Sequence, residues 1–143
     1  MLDSLDEVLD QVRLLWHVLA QTTERLHEGE SVTLGMRAVL EFLARHGPTA
    51  VPEIARSRQV TRQHIQALVN DLLELRLVSL NDNPAHRRSA LIRLTAEGQK
   101  TVDRMMRRER QFLERLELEA RPDDLRRAAT TLGVVRKAMG GKS

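Results

Sequence analysis

The sequence predicts a mainly α-helical chain with one small β-hairpin, a compact helical lobe embedded in a frame of longer helices. Three observations predict it. Apolar residues recur at helical spacing through the first and last thirds of the chain. Between them lie two shorter helical stretches separated by a tight break. After these come two short β-type segments around an Asn-Asp-Asn-Pro turn at 81–84. The chain has 143 residues, 41% hydrophobic and 30% charged, which suits one helical frame carrying a small module and argues against disorder.

In the first segment Leu5, Val8, Leu9, Val12, Leu15, Trp16, Leu19 and Leu26 follow one helix face, and Gly29 ends it. Thr33 is placed to cap a second helix, with Met36, Val39, Leu40 and Leu43 on one side. His46-Gly47-Pro48 stops that helix, since glycine permits a left-handed C-cap and proline cannot continue. A short helix follows over 51–58, with Pro52 in its first turn, where a missing N–H costs nothing. A break at Gln59-Val60 leads to Thr61, a natural N-cap. The helix from Arg62 to about Arg76 buries Ile65, Leu68, Val69, Leu72 and Leu73. Leu77 to Leu80 and Ser89 to Leu94 read as the strands of a hairpin spanning 77–94. A long helix begins near Thr95, with Val102, Met105, Met106, Phe112, Leu113 and Leu116 in register. Pro122 starts the last helix, lined by Leu125, Ala128, Ala129, Leu132, Val135 and Met139 and closed by Gly140-Gly141.

The chain thus divides into N-terminal helices for dimerisation and support (1–46), a compact lobe (47–95) and C-terminal helices for dimerisation (96–143). A chain this short cannot easily cover every apolar stripe of its first and last two helices. Burying them against a second copy is the economical solution, so a two-fold homodimer is expected.

Composition removes several classes. With no cysteine, a disulfide framework, thiolate zinc sites and thiol redox chemistry are excluded. No apolar run reaches the roughly 18 residues of a spanning helix, and Asp3, Asp6 and Glu7 do not suit a secretory leader. A cytoplasmic protein without a membrane partner is expected. The histidines His17, His27, His46, His64 and His86 form no H-x3-H pair and read as scattered surface residues, so no metal is expected. There is no Gly-rich phosphate loop, G-x-S-x-G or H-E-x-x-H, so neither an enzyme nor a cofactor is expected. Glu114, Glu117 and Glu119 read as the solvated face of a charge-rich helix.

The net charge of +3 is a weak sign by itself, but its placement is informative. Between Gly47 and Thr95 stand seven arginines against four acids, so seven minus four leaves the whole excess of +3 in the middle third. There, a short helix, a tight turn and a longer helix make a helix-turn-helix. Gln63, Gln66 and Asn70 fall opposite the core side of the longer helix, and such amides suit bidentate contact with an adenine edge in the major groove. Thr61, Arg62 and His64 stand at its N-terminus, where backbone N–H groups favour a phosphate. A merely solvated helix face would look the same. The hairpin tilts the balance, because its tip carries His86-Arg87-Arg88, and an arginine is favoured in a narrow minor groove.

The run Asn83-Pro84-Ala85-His86-Arg87-Arg88, followed by Leu91-Ile92-Arg93-Leu94-Thr95-Ala96-Glu97-Gly98, resembles the wing of the MarR family of regulators. That pattern is acid-Pro-x-acid-Arg-Arg, then a strand, then Leu-Thr-x-x-Gly. Residues 60–78 resemble the family's recognition helix and following strand. The resemblance implies a winged helix-turn-helix protein binding double-stranded DNA as a homodimer, at a pseudo-palindromic operator, with small-molecule control and usually repression. It implies that Arg87 is the minor-groove arginine, that Arg88 is its partner at the tip, and that Thr61, Arg62, Gln63 and Gln66 lie on the recognition helix. Asn83 and His86 depart from the family's acids, which puts the ion pair bracing the wing in doubt. Arg76 stands where the family usually has glycine. His86 beside two arginines either charges between about pH 5 and 8 and tightens DNA binding, or is a neutral spacer.

The resemblance also implies a ligand cleft, with Arg13, Trp16, His17 and Met36 as candidates for a small aromatic or anionic effector. Trp16 has a second reading as core at the dimer interface. The alternatives to a regulator are a winged-helix protein-interaction module and a DNA-binding protein without operator specificity.

Overall fold

A computed structural model describes residues 1–140. The order is α1 (Leu2–Leu26), α2 (Leu34–His46), β1 (Thr49–Ala50), α3 (Val51–Arg58), α4 (Arg62–Glu74), β2 (Val78–Asn81), β3 (Leu91–Leu94), α5 (Ala96–Glu114) and α6 (Pro122–Gly140). Gly141, expected to help close the last helix, lies outside the described residues. The chain packs as two compact units, Met1–Phe112 and a second beginning at Leu113.

The first unit has one core. Met36, Val39, Leu40 and Leu43 of α2 meet Ile54 and Ala55 of α3, Ile65, Val69 and Leu72 of α4, Ile92 of β3 and Val102 of α5. The helix-turn-helix lobe therefore shares its interior with α2 and the first turns of α5. Leu40, Ile54 and Leu72 are fully buried, and truncating any one to alanine costs about 2–5 kcal/mol.

The expected caps form. Thr33 Oγ1 accepts from Met36 N at 3.3 Å and Thr61 Oγ1 from His64 N at 3.1 Å, each satisfying an orphan donor of the first turn. Gly47 takes φ 76° and ψ −167°, backbone that glycine alone adopts cheaply. Helix α4 stops at Glu74, short of the expected Arg76. Arg76 N donates to Leu73 O and Leu77 N to Leu72 O, both at 3.0 Å, the two bonds of a Schellman motif. Arg76 is its left-handed residue, at φ 58°, which explains why glycine suits this position.

The hairpin is part of a three-stranded antiparallel sheet in the order β1-β3-β2. Strand β1 was not expected, because two residues carry no alternation; it forms by pairing Thr49 with Ile92 and Ala50 with Leu91. In the hairpin Val78 pairs with Leu94 and Leu80 with Ile92. β3 starts at Leu91 and not at Ser89, because Ser89 N closes a turn on His86 O at 3.4 Å.

Thr95 joins the sheet to α5. Its N–H donates to Leu77 O at 3.0 Å, its hydroxyl donates to Arg76 O at 2.7 Å, and its Oγ1 accepts from Gly98 N at 3.0 Å. Gly98 is needed because a Cβ there would lie 1.9 Å from Leu77 O.

Farther along α5, charges tie it to the N-terminal segments. Arg37 of α2 pairs with Glu109 and with Glu41, and Glu30 accepts from Arg104 Nε at 2.6 Å and Arg108 Nη1 at 3.2 Å. On α1, Leu5, Val8 and Leu9 are half-buried, whereas Val12, Leu15, Trp16 and Leu19 are exposed. In the second unit α6 has no buried residue, and Leu125, Leu132 and Met139 are exposed. Among the described residues no helix is long and apolar enough to cross a membrane.

Candidate nucleic-acid interface

Helix α4 has two unlike faces. Ile65, Val69 and Leu72 are buried, while Arg62, Gln63, His64, Gln66 and Asn70 are exposed, as is the cap Thr61. The 3.6-residue period separates the two sets. Gln66 Nε2 donates to Asn70 Oδ1 at 2.9 Å, one turn on, so two of the outward amides form a unit. That pairing leaves the Gln66 carbonyl and the Asn70 amino group facing outward with unspent hydrogen-bonding capacity.

The wing loop spans 82–90 between β2 and β3. Asn83 organises it: its Oδ1 accepts from Ala85 N at 3.1 Å, and its carbonyl accepts from His86 N at 3.2 Å. The side-chain amide oxygen thus supplies the acceptor that a carboxylate supplies in the family pattern, and no charge is needed for the turn. His86, Arg87 and Arg88 are exposed at the tip.

The electrostatics of the lobe differ from those of the frame. None of Arg56, Arg58, Arg62, Arg76, Arg87, Arg88 or Arg93 has a carboxylate within ion-pair distance among the described residues. Arg37 and Arg104, by contrast, are committed to acids, and the hydrogen bonds they donate to Glu109 and Glu30 raise both guanidinium groups above their ordinary value. The lobe therefore presents uncompensated positive charge beside a hydrogen-bonding helix face, the combination that nucleic acid attracts. No ion pair braces the wing among the described residues, which leaves both tip arginines available.

The four effector candidates are not gathered into one site. Arg13, Trp16 and His17 are exposed on α1, with Arg13 Nη1 2.5 Å from Asp10 Oδ1, whereas Met36 lies in the core at 4% exposure. A cavity of about 730 Å³ exists instead between the end of α1, the 27–33 turn, the start of α2 and Met105 of α5. His27 lines it. The expectation that all five histidines are surface residues fails here: His27 is 5% exposed, with Nε2 2.9 Å from Glu109 Oε1. It directly follows the half-buried Leu26 and lies one helix turn after the half-buried Thr23, so it continues the inward side of the end of α1, a signal the periodicity did contain. Among the described residues no cluster of three or more metal-ligating side chains occurs.

The MarR family profile matches residues 37–89, from α2 to the wing tip. Uncharacterised proteins of Mycobacterium tuberculosis and Mycobacterium bovis are 41% identical over 58 residues, and the match covers 41% of this chain and 41% of each relative. A MarR family transcription regulator of known structure superposes with a TM-score of 0.81 at 23% identity, covering 97% of this chain and 92% of its own. The MarR of Staphylococcus aureus, solved with salicylate and kanamycin, gives 0.82 at 15% identity, covering 96% and 93%. BpsR of Bordetella bronchiseptica, whose DNA binding is regulated by 6-hydroxynicotinic acid, gives 0.73 at 16%, covering 94% and 93%. Residues 37–89 therefore carry the MarR family sequence, and the chain around them has the winged-helix fold of MarR family transcription regulators.

Proposed function

We propose that this chain is a sequence-specific, DNA-binding transcription regulator that acts by binding, not catalysis, in the compartment that holds its DNA. One observation carries the reading: the polar face of α4 and the arginines of the wing belong to one lobe, and those arginines have no protein counter-charge among the described residues. The amides of Gln63, Gln66 and Asn70 read base edges in the major groove. Thr61, Arg62 and His64 position the helix on phosphate, while Arg87 and Arg88, with His86, reach the adjacent minor groove.

The working form is a homodimer on a pseudo-palindromic operator. Support comes from the apolar side chains that α1 and α6 leave in solvent, Trp16 at 59% and Met139 at 69% exposure. On α1 alone, Val12, Leu15, Trp16 and Leu19 stand exposed at helical spacing, and an apolar stripe of this kind is costly in a monomer. Repression relieved by a small ligand is the mode of control, supported by the salicylate and 6-hydroxynicotinic acid of two structural relatives. A ligand acts here only if it binds the non-DNA geometry better.

The test is the paired substitution Arg87→Ala and Arg88→Ala, with affinity measured across a salt series. The proposal expects at least a tenfold loss and a salt slope reduced by roughly one for each phosphate-neutralising arginine removed. Unchanged affinity and slope would remove the wing from the interface and leave a protein-interaction module.

A further inference from the structure

We propose that Gln66 reads an adenine in each operator half-site, and that Asn70 touches no base but holds the Gln66 amide in the orientation adenine requires. The inference rests on the reading of the chain as a sequence-specific regulator, and it narrows the part of Asn70 among the amides of α4.

Position separates the two residues. Gln66 is the fifth residue of α4 and Asn70 the ninth, about 6 Å farther along the axis. Helices that enter the major groove touch base edges with their N-terminal residues, and asparagine is one methylene shorter than glutamine. Gln66 therefore reaches the bases where Asn70 falls short. The backbone under both is fixed, because their chain neighbours Ile65 and Val69 are buried in the core. Ala67, exposed beside them, is too small to overhang either amide.

The hydrogen bond sets the base. Gln66 Nε2 donates one of its two hydrogens to Asn70 Oδ1 at 2.9 Å. Its carbonyl and its second N–H stay free, one acceptor beside one donor. Adenine is the base whose major-groove edge satisfies both, with an amino donor at N6 and an acceptor at N7. Guanine sets two acceptors there, so its O6 would face the Gln66 carbonyl. Cytosine and thymine each offer a single polar group. Without Asn70 the amide is free to turn over and meet guanine with its N–H. With Asn70 in place, turning the Gln66 amide alone would set two carbonyl oxygens against each other. Holding a rotamer-rich side chain before DNA arrives also lowers the ordering cost of the contact. A one-turn amide pair adds little to an exposed helix by itself, so its effect falls on base choice and not on folding.

The test is affinity of the full chain, at fixed salt, for the operator recovered from random DNA and for its single-base variants at each half-site position. The wild type is expected to prefer adenine to guanine at one position of each half-site by about 5- to 150-fold, the range of a bidentate contact. Gln66→Ala should abolish that preference, and Asn70→Leu should remove most of it at the same position. The double variant should lose no more than Gln66→Ala does. Asn70→Asp, whose carboxylate can only accept, should bind all DNA more weakly yet keep the preference. Four results would overturn the proposal: Asn70→Leu leaving the preference intact, Asn70→Leu changing it at a different base pair, losses that add in the double variant, or a preference lost in Asn70→Asp. Guanine preferred at the position that Gln66→Ala affects would do the same. A wild type that selects an operator indifferent to Asn70 loses only the amide pair, whereas a wild type that selects none overturns the regulator reading as well.

Discussion

Replacing Gly98 with alanine probes the joint on which the wing and α5 depend. The added Cβ would stand 1.9 Å from the Leu77 carbonyl oxygen, and real Cβ contacts do not fall under 3.0 Å, so the helix must retreat by at least about 1.1 Å. The obstacle is backbone and cannot swing aside. A retreat of that size breaks the 3.0 Å bond from Thr95 N to Leu77 O and the 2.7 Å bond from the Thr95 hydroxyl to Arg76 O. Two such bonds contribute about 2 kcal/mol net. Overpacking adds about 1–3 kcal/mol, and the better helix propensity of alanine returns about 1 kcal/mol. The expected loss is therefore about 2–4 kcal/mol. Urea unfolding followed by far-UV circular dichroism measures it, with both proteins at one concentration, since a dimer's stability depends on concentration. A loss under about 0.5 kcal/mol, or a gain, would refute the close-approach argument.

Three further outcomes follow from the same structure. Arg76→Gly should stabilise the protein by about 0.5–1 kcal/mol, because φ 58° is strained for arginine and open to glycine; chemical denaturation that shows destabilisation would contradict the Schellman assignment. Glu30 and Glu109 are held below their ordinary value of 4.5, Glu30 chiefly by the Arg104 hydrogen bond and Glu109 by Arg37 and His27 against its burial. Their contribution is present above that value and is lost as pH falls through the folded values, because the unfolded chain then binds protons the folded chain refuses. Stability should decline on acidification from about pH 5, and Glu109→Gln should flatten that limb; an unchanged acid limb in the variant would sink the assignment. Gln63→Ala should weaken binding to the preferred DNA site by about 1–3 kcal/mol while sparing non-specific DNA, as competition with mutated sites would show.

The elements of the fold were legible wherever the cause is local. Thr33, Thr61 and Gly47 announce helix ends because a hydroxyl or a missing Cβ acts within a few residues. The outward amides of α4 and the wing tip were legible for the same reason, since helical period and turn chemistry place them. What escaped depends on distant partners. Strand β1 exists only because Ile92 and Leu91 come to lie beside Thr49 and Ala50. The polar partner of His27, Glu109, lies 82 residues away. Met36 entered the candidate cleft only through the family resemblance, and its place on the apolar side of α2 puts it in the core instead. Arg76 was visible as a departure from glycine, but its meaning, a left-handed residue closing α4, needed the backbone angle.

Selection of the purified protein against a random double-stranded DNA library at near-physiological salt tests the central claim most directly. The account predicts recovery of an inverted repeat with half-sites about one helical turn apart, as a two-fold dimer with α4 in successive major grooves requires. Recovery of no preferred sequence, with binding that vanishes as salt rises, would contradict it and leave phosphate attraction alone.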